Sequence, residues 1–264
     1  MTDESRNGLI RTEWLLGKEA MRRLADSRVA VFGVGGVGGY VVEALARSGV
    51  GALDICDKDR VDITNLNRQI IALHSTVGRM KVEVAAERIR DIAPECRVVK
   101  HPVFYLPDTA DRFDFTEYDY VVDAVDTVTA KLSLIQRAKE AGVPIISSMG
   151  AGNKLDPASF RVADIYDTTV CPLAKVMRRE CRKRGIRQLK CVYSTEEAMV
   201  PGSRGGREES PAGDVGAPEG ESSAEAAAVP RRSSPGSVAF VPSVAGLILA
   251  GEVIKDLVKL PARS

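Results

Sequence analysis

The chain has 264 residues, 44% of them hydrophobic and 28% charged, with a formal net charge of +1 at pH 7. This is the composition of a folded chain long enough to bury a sizeable core. It excludes a global field that draws the whole molecule to nucleic acid, so any such attraction must come from a local patch. The five cysteines (Cys56, Cys96, Cys171, Cys181 and Cys191) are odd in number and none is spaced C-x-x-C, which argues against a disulfide framework or a tetrathiolate zinc site. The first ten residues have no apolar run of the secretory kind. The longest apolar stretch, Val238 to Ile254, is interrupted by Pro242 and Glu252. A reducing cytosol and no transmembrane segment are therefore expected.

In chain order, Glu13 to Ala25 has helical spacing of apolar residues, and Arg28 to Phe32 is a short apolar strand. Val37 to Arg47 reads as a helix, Leu53 to Cys56 as a strand, and Val77 to Ile92 as an amphipathic helix ending before Pro94. Strand-like runs follow at Arg97 to Val103, Tyr118 to Val122 and Val143 to Ser147, with a helix at Thr127 to Ala141. This alternation predicts an α/β fold: a Rossmann-like doubly wound sheet, parallel in its N-terminal half. Later come a strand at Phe160 to Ile165, a very basic helix at Leu173 to Arg184 and a strand at Lys190 to Tyr193, giving mixed strand directions. Gly202 to Gly236 is rich in Gly, Ser, Pro, Ala and Glu and reads as a flexible loop. A last apolar helix runs from Ser243 to Leu257. The expected organisation is an α/β domain over 1–200, a linker over 201–236, and a C-terminal helix within 237–264 that packs on the same domain.

The sharpest motif is GVGGVG, Gly33 to Gly38, between a strand and a helix. Gly33 suits the tight turn, Gly35 and Gly36 let backbone approach a phosphate, and Gly38 permits close helix–strand packing. The helix N-terminus beyond it favours an anion. NAD, FAD and ATP are all bound by such turns. Asp57, at the end of the second strand, can accept hydrogen bonds from ribose hydroxyls, and Asp59 is a rival for that role.

The following segments point to ATP. They are DKDRVDITNLNRQ (Asp57 to Gln69), GRMK (Gly78 to Lys81) and DAVDT (Asp123 to Thr127). In a doubly wound sheet all three lie at the carboxyl ends of neighbouring strands, around one crevice. Arg68 can hold phosphate oxygens in a forked grip. Lys81 supplies a compact positive charge for the developing pyrophosphate. Asp126, beside Thr127, is a hard oxygen ligand suited to the Mg²⁺ that accompanies ATP. Asn65 and Gln69 can orient phosphate or substrate. Such cations stabilise charge that builds as a carboxylate attacks the α-phosphorus.

Taken together these motifs resemble the superfamily of ubiquitin-activating-type enzymes and their bacterial relatives, over roughly residues 9 to 165. The resemblance implies that Asp57 binds ribose, that Asn65, Arg68 and Lys81 bind phosphates, and that Asp126 stands on the metal side. It also implies a homodimer in which Arg11 reaches the partner's ATP. An arginine often found three residues earlier is Gly8 here. The two C-x-x-C pairs of the sulfur-carrier adenylyltransferases are absent, and 264 residues leave no room for the extra domains of the eukaryotic enzymes. NKLDP (Asn153 to Pro157), CPLAK (Cys171 to Lys175), CVYSTEE (Cys191 to Glu197), GSV and FVPSVAG look like the tRNA threonylcarbamoyladenosine dehydratase branch, with Cys171 in place of its usual Asp. Members of that branch adenylate the threonylcarbamoyl carboxylate on a tRNA adenosine, and ring closure then expels AMP.

The basic helix suits a tRNA carrying threonylcarbamoyladenosine. Lys175, Arg179 and Lys183 stack at i, i+4 spacing, as do Arg178 and Arg182, a stripe able to grip phosphates. A sulfurtransferase-type partner is a further candidate. No cysteine lies in Gly202 to Gly236, so no covalent cysteine step is assigned. The alternatives are an adenylyltransferase for a ubiquitin-like sulfur carrier, an NAD-binding oxidoreductase, and a non-catalytic tRNA-binding scaffold.

Overall fold

The computed structural model describes residues 8–199 and 235–259. Seven strands form one sheet: β1 (Arg28–Phe32), β2 (Ala52–Cys56), β3 (Arg97–His101), β4 (Tyr120–Asp123), β5 (Ile145–Ser148), β6 (Phe160–Asp164) and β7 (Lys190–Ser194). The order is β3-β2-β1-β4-β5-β7-β6. Every neighbouring pair is parallel except β6–β7, which is antiparallel. The helices are α1 (Ile10–Leu16), α2 (Lys18–Asp26), α3 (Gly38–Arg47), α4 (Lys81–Ile92), α5 (Val128–Glu140), α6 (Pro172–Lys183) and α7 (Phe240–Leu257). The expected doubly wound sheet with later mixed strands is the observed architecture.

Successive strand residues point to opposite faces, and each face carries its own core. Val29 and Val31 of β1 join the core formed with α2, α3, α4 and α7. Ala30 and Phe32 join the other, with α5, α6 and the aromatic segment 105–118. Phe32 stands edge-on to Tyr105 and Phe113, at centroid distances of 4.8 and 5.1 Å. The buried side of α7, through Val241, Ala245, Leu249 and Val253, belongs to the first core. Among the described residues no helix is long and apolar enough to cross a membrane.

Two expected helices are drawn differently. The one read over Glu13 to Ala25 is two helices, because the chain breaks at Gly17, where φ is 83°. The one read over Val77 to Ile92 begins only at Lys81. Its first residues are used instead in a turn against the segment after β2: Gly78 donates to the Val61 carbonyl, Val61 to Arg79, and Lys81 to Asp59. The strand read over Arg97 to Val103 stops at His101, before Pro102. Most of the linker read over 201–236 lies outside the described residues.

Two buried carboxylates are paired with cations from neighbouring elements. Asp54 of β2 accepts from Arg28 and is 2.8 Å from His101. Glu43 of α3 accepts from Arg88 and Arg47. Burial pushes both carboxyls up, but these cationic partners outweigh it and hold both below their ordinary values of 3.8 and 4.5. A depressed folded-state pKa gives stability that is complete above the ordinary value and lost as pH falls through the depressed one. The urea midpoint is therefore expected to fall on acidification below that range, and more gently in Glu43→Gln, which has no carboxylate to protonate there. An equally steep decline in that variant would remove Glu43 from the acid response.

Candidate functional site

A crevice of about 430 Å³ opens at the carboxyl ends of β1, β2 and β4. This is the place where strand order reverses on either side of β1, the usual ligand position in such sheets. Its lining includes Gly33, Gly35, Gly36, Asp57, Asp59, Asn65, Arg68, Gln69, Lys81 and Asp126. Ten of the expected site residues thus come together from five separate segments.

The turn after β1 is made by sterics. Gly33 has φ of 90°, and a Cβ there would sit 2.7 Å from the Ala124 carbonyl oxygen. A Cβ on Gly38 would sit 1.8 Å from the Gly33 oxygen. Gly38 consequently packs the start of α3 onto the turn, the close helix–strand packing expected of it, and does not line the crevice. The N–H groups of Gly35, Gly36 and Val37 have no protein acceptor among the described residues. Together with the N-terminus of α3 they form an anion cradle.

Asp57 and Asp59 separate clearly. The Asp57 carboxylate is fixed, accepting from Val34 N–H at 2.8 Å through one oxygen and from Asp59 N–H at 2.8 Å through the other. Its side chain is 10% exposed against 53% for Asp59. Asp57 thus fastens the glycine turn and faces the crevice. Asp59 instead pairs with Lys81 at 3.1 Å, while Asp57 stands 3.9 Å from the same ammonium. The Lys81 side chain is only 7% exposed. The turn over Val77 to Met80 is what delivers it there.

Arg68 has no acidic partner among the described residues. Its guanidinium donates to the Thr64 carbonyl and to Asn67 Oδ1, both at 2.9 Å, and forms no salt bridge among the described residues. Beside it, Gln69 Oε1 is buried with no hydrogen-bond partner among the described residues, a cost that a bound donor would relieve. Asn65 is spent on structure: its side-chain oxygen accepts from Asp62 N–H. Asp126 lines the crevice, while Thr127, outside the lining, donates to its carboxylate at 3.3 Å. No cluster of three or more His, Cys, Asp or Glu able to hold a metal occurs among the described residues. A cation beside Asp126 would need oxygens from a phosphate ligand to complete its shell.

Several lining residues were not anticipated. Lys58 lies over the Phe104 ring at 4.1 Å, and both border the crevice. Gly152, Pro235 and Ser237 supply another wall. Arg11 is exposed on α1 and does not line this chain's crevice.

On α6 the predicted stripe is partly dismantled. Arg178 is turned onto Thr168, and Arg182 lies over the Tyr166 ring at 5.2 Å. Arg184, Lys183 and Arg179 all bond Glu180 and hold its carboxyl down to about 2. Lys175, Arg179, Arg182 and Lys183 stay exposed. All five cysteines are free. Burial pushes the thiols of Cys56 and Cys191 up to about 12 and that of Cys96 to about 11, away from thiolate chemistry at neutral pH.

Fold and crevice are those of an α/β protein with a glycine turn and a cation-lined crevice at the switch point of its sheet. The chain belongs to the ThiF family, whose model matches residues 9–263. It is 47% identical over 250 residues to the tRNA threonylcarbamoyladenosine dehydratase of Bacillus subtilis (strain 168), covering 94% of each chain. It is 41% identical over 202 residues to that of Escherichia coli (strain K12), covering 74% of this chain and 75% of the relative. Among solved structures, the E. coli tRNA N6-threonylcarbamoyladenosine dehydratase in complex with ATP matches with a TM-score of 0.81 and 33% identity, over 98% of this chain and 96% of that one.

Proposed function

We propose that this chain is an ATP-dependent tRNA threonylcarbamoyladenosine dehydratase, acting in the cytosol. The observation that carries the chemistry is the convergence, over one glycine turn, of an arginine with no acidic partner, a sheltered lysine and a free-facing aspartate. Similarity to the dehydratases of B. subtilis and E. coli, the latter solved with ATP, supports the substrate.

In this reading the cradle N–H groups and Arg68 hold phosphate oxygens and Asp57 holds the ribose. The threonylcarbamoyl carboxylate attacks the α-phosphorus: a carboxylate oxygen–phosphorus bond forms, and the bond to the β-phosphate bridge breaks as pyrophosphate leaves. Charge that grows on the departing oxygens is met by Arg68 and Lys81, whose positions are set beforehand. A nucleophile within the substrate then closes a ring and expels AMP, for a net loss of water. Mg²⁺ held at Asp126 would neutralise phosphate charge when bound.

The active form is proposed as a homodimer. Arg11 of each chain then serves the partner's site, and the same helix carries Trp14 and Leu15, which are 75% and 83% exposed. The tRNA phosphates are proposed to meet Lys175, Arg179, Arg182 and Lys183, with Arg178 as a buttress.

Pyrophosphate exchange tests the reading. Exchange stimulated by threonylcarbamoyl-modified tRNA, with a product lighter by one water in nucleoside mass spectrometry, is expected. Stimulation by a ubiquitin-like carrier protein instead would favour the sulfur-carrier adenylyltransferase. Arg179→Ala with Arg182→Ala and Lys183→Ala should weaken tRNA binding about tenfold or more and flatten its salt dependence. ATP affinity should not change. Unaltered tRNA affinity would return that face to solvent.

A further inference from the structure

The segments NKLDP, CVYSTEE and GSV are far apart in sequence, and none contributes a charged group to the crevice lining. They meet nonetheless. Asn153 has φ of 58°, an uncommon left-handed value that asparagine tolerates better than most residues. In that conformation its N–H donates to the Gly236 carbonyl at 2.8 Å, its own carbonyl accepts from Met199 at 2.7 Å, and its Oδ1 accepts from Gly236 N–H at 2.6 Å. The chain just beyond β7 and the chain just before α7 are thus held by one residue.

The grip continues to the phosphate side. Pro235 seats on Gly152 so closely that a Cβ at 152 would lie 2.8 Å from it. Asn67 Nδ2 donates to the Ser237 carbonyl at 2.9 Å, while Asn67 Oδ1 accepts from Arg68 at 2.9 Å. Pro235, Ser237 and Gly152 all border the crevice. A hydrogen-bonded chain therefore runs from Arg68 through Asn67 and the 235–237 wall to Asn153.

We propose that Asn153 and Asn67 are positioning residues for ATP: they fix the 235–237 wall against the crevice and, through it, the aim of the Arg68 guanidinium. The proposal deepens the ATP-dependent reading above and rests on it for the identity of the ligand. Neither residue has to touch the nucleotide. Asn153 sets the wall by satisfying both polar groups of Gly236. Asn67 alone among these residues contacts both the wall and the phosphate-binding arginine.

Calorimetric titration with ATP separates this from a merely structural role. Asn153→Gly keeps the left-handed backbone and both main-chain bonds but removes Oδ1. ATP affinity is expected to fall about three- to tenfold, the scale of one lost hydrogen bond. The apparent KM for ATP should rise in step, while kcat at saturating ATP changes much less. Asn153→Asp retains the acceptor and should recover most of the affinity. Asn67→Asp keeps the acceptor for Arg68 and loses the donor to Ser237, so it should show an intermediate loss. Wild-type ATP affinity in Asn153→Gly, or a loss that Asn153→Asp fails to rescue, overturns the proposal. Should Asn153→Gly melt far below wild type, exposed Asn67→Asp decides alone: unchanged ATP affinity there overturns it as well. ATP binding is measured without tRNA, so failure of the tRNA reading shows as absent tRNA turnover with ATP affinities intact.

Discussion

Arg68→Ala is expected to lower the rate of AMP formation by about a hundred- to a thousandfold, the cost of deleting one preorganised charge stabiliser from a transition state. Thermal melting should be unchanged, because among the described residues the side chain bonds only Thr64 and Asn67 and neutralises no acid. Arg68→Lys should restore only a small part, since an ammonium lacks the planar fork that matches two phosphate oxygens. Arg68 is a cleaner probe than Lys81, whose removal would also leave Asp57 and Asp59 facing each other without a cation. Single-turnover formation of AMP reads the effect, and a wild-type rate would remove Arg68 from the site.

Lys131→Met is expected to be the most destabilising single change. Lys131 and Asp123 are both 0% exposed and are paired at 3.1 Å, and the ammonium also donates to the Ser148 carbonyl at 2.6 Å. Removing the lysine strands a buried carboxylate, at a cost of about 3–5 kcal/mol. In a chain of this size that is a melting temperature lower by about 10 °C. Pairing the change with Asp123→Leu should recover much of the loss, because the apolar pair leaves no orphan charge. Calorimetry checks both variants, and a single variant that melts within about 2 °C of wild type would refute the assignment. The pair matters to the crevice too: Asp123 accepts from Val125 N–H at 3.2 Å and so shapes the loop that carries Asp126.

Much of this was written in local patterns. RVAVF and ALDIC are apolar runs of strand length, and their placement in a covered parallel sheet explains why they show no alternation. The glycine turn, Asp57, Arg68, Lys81 and Asp126 were legible because charged residues recur just after predicted strands. What stayed hidden depended on contacts between segments. Lys131 sits at an ordinary helical position and reads as a surface lysine until β4 and β5 close around it. Asn67 and Asn153 are polar loop residues whose partners lie 170 and 83 positions away. Gly17 breaks a helix that its flanking residues would continue. Arg178 falls on the basic stripe by periodicity, yet Thr168 claims it. Gly38 and Thr127 belong to the same motifs but stand behind the crevice lining, one packing the helix onto the turn and the other donating to Asp126.

The crevice draws its two sides from different parts of the chain. The nucleotide-facing groups come from loops after β1, β2 and β4, within the first half of the sequence, whereas Gly152, Pro235 and Ser237 follow β5 and precede α7. Because Asn67 bonds both Ser237 and Arg68, the two sides are coupled, and a change in the later segments is expected to be felt at the phosphate-facing arginine.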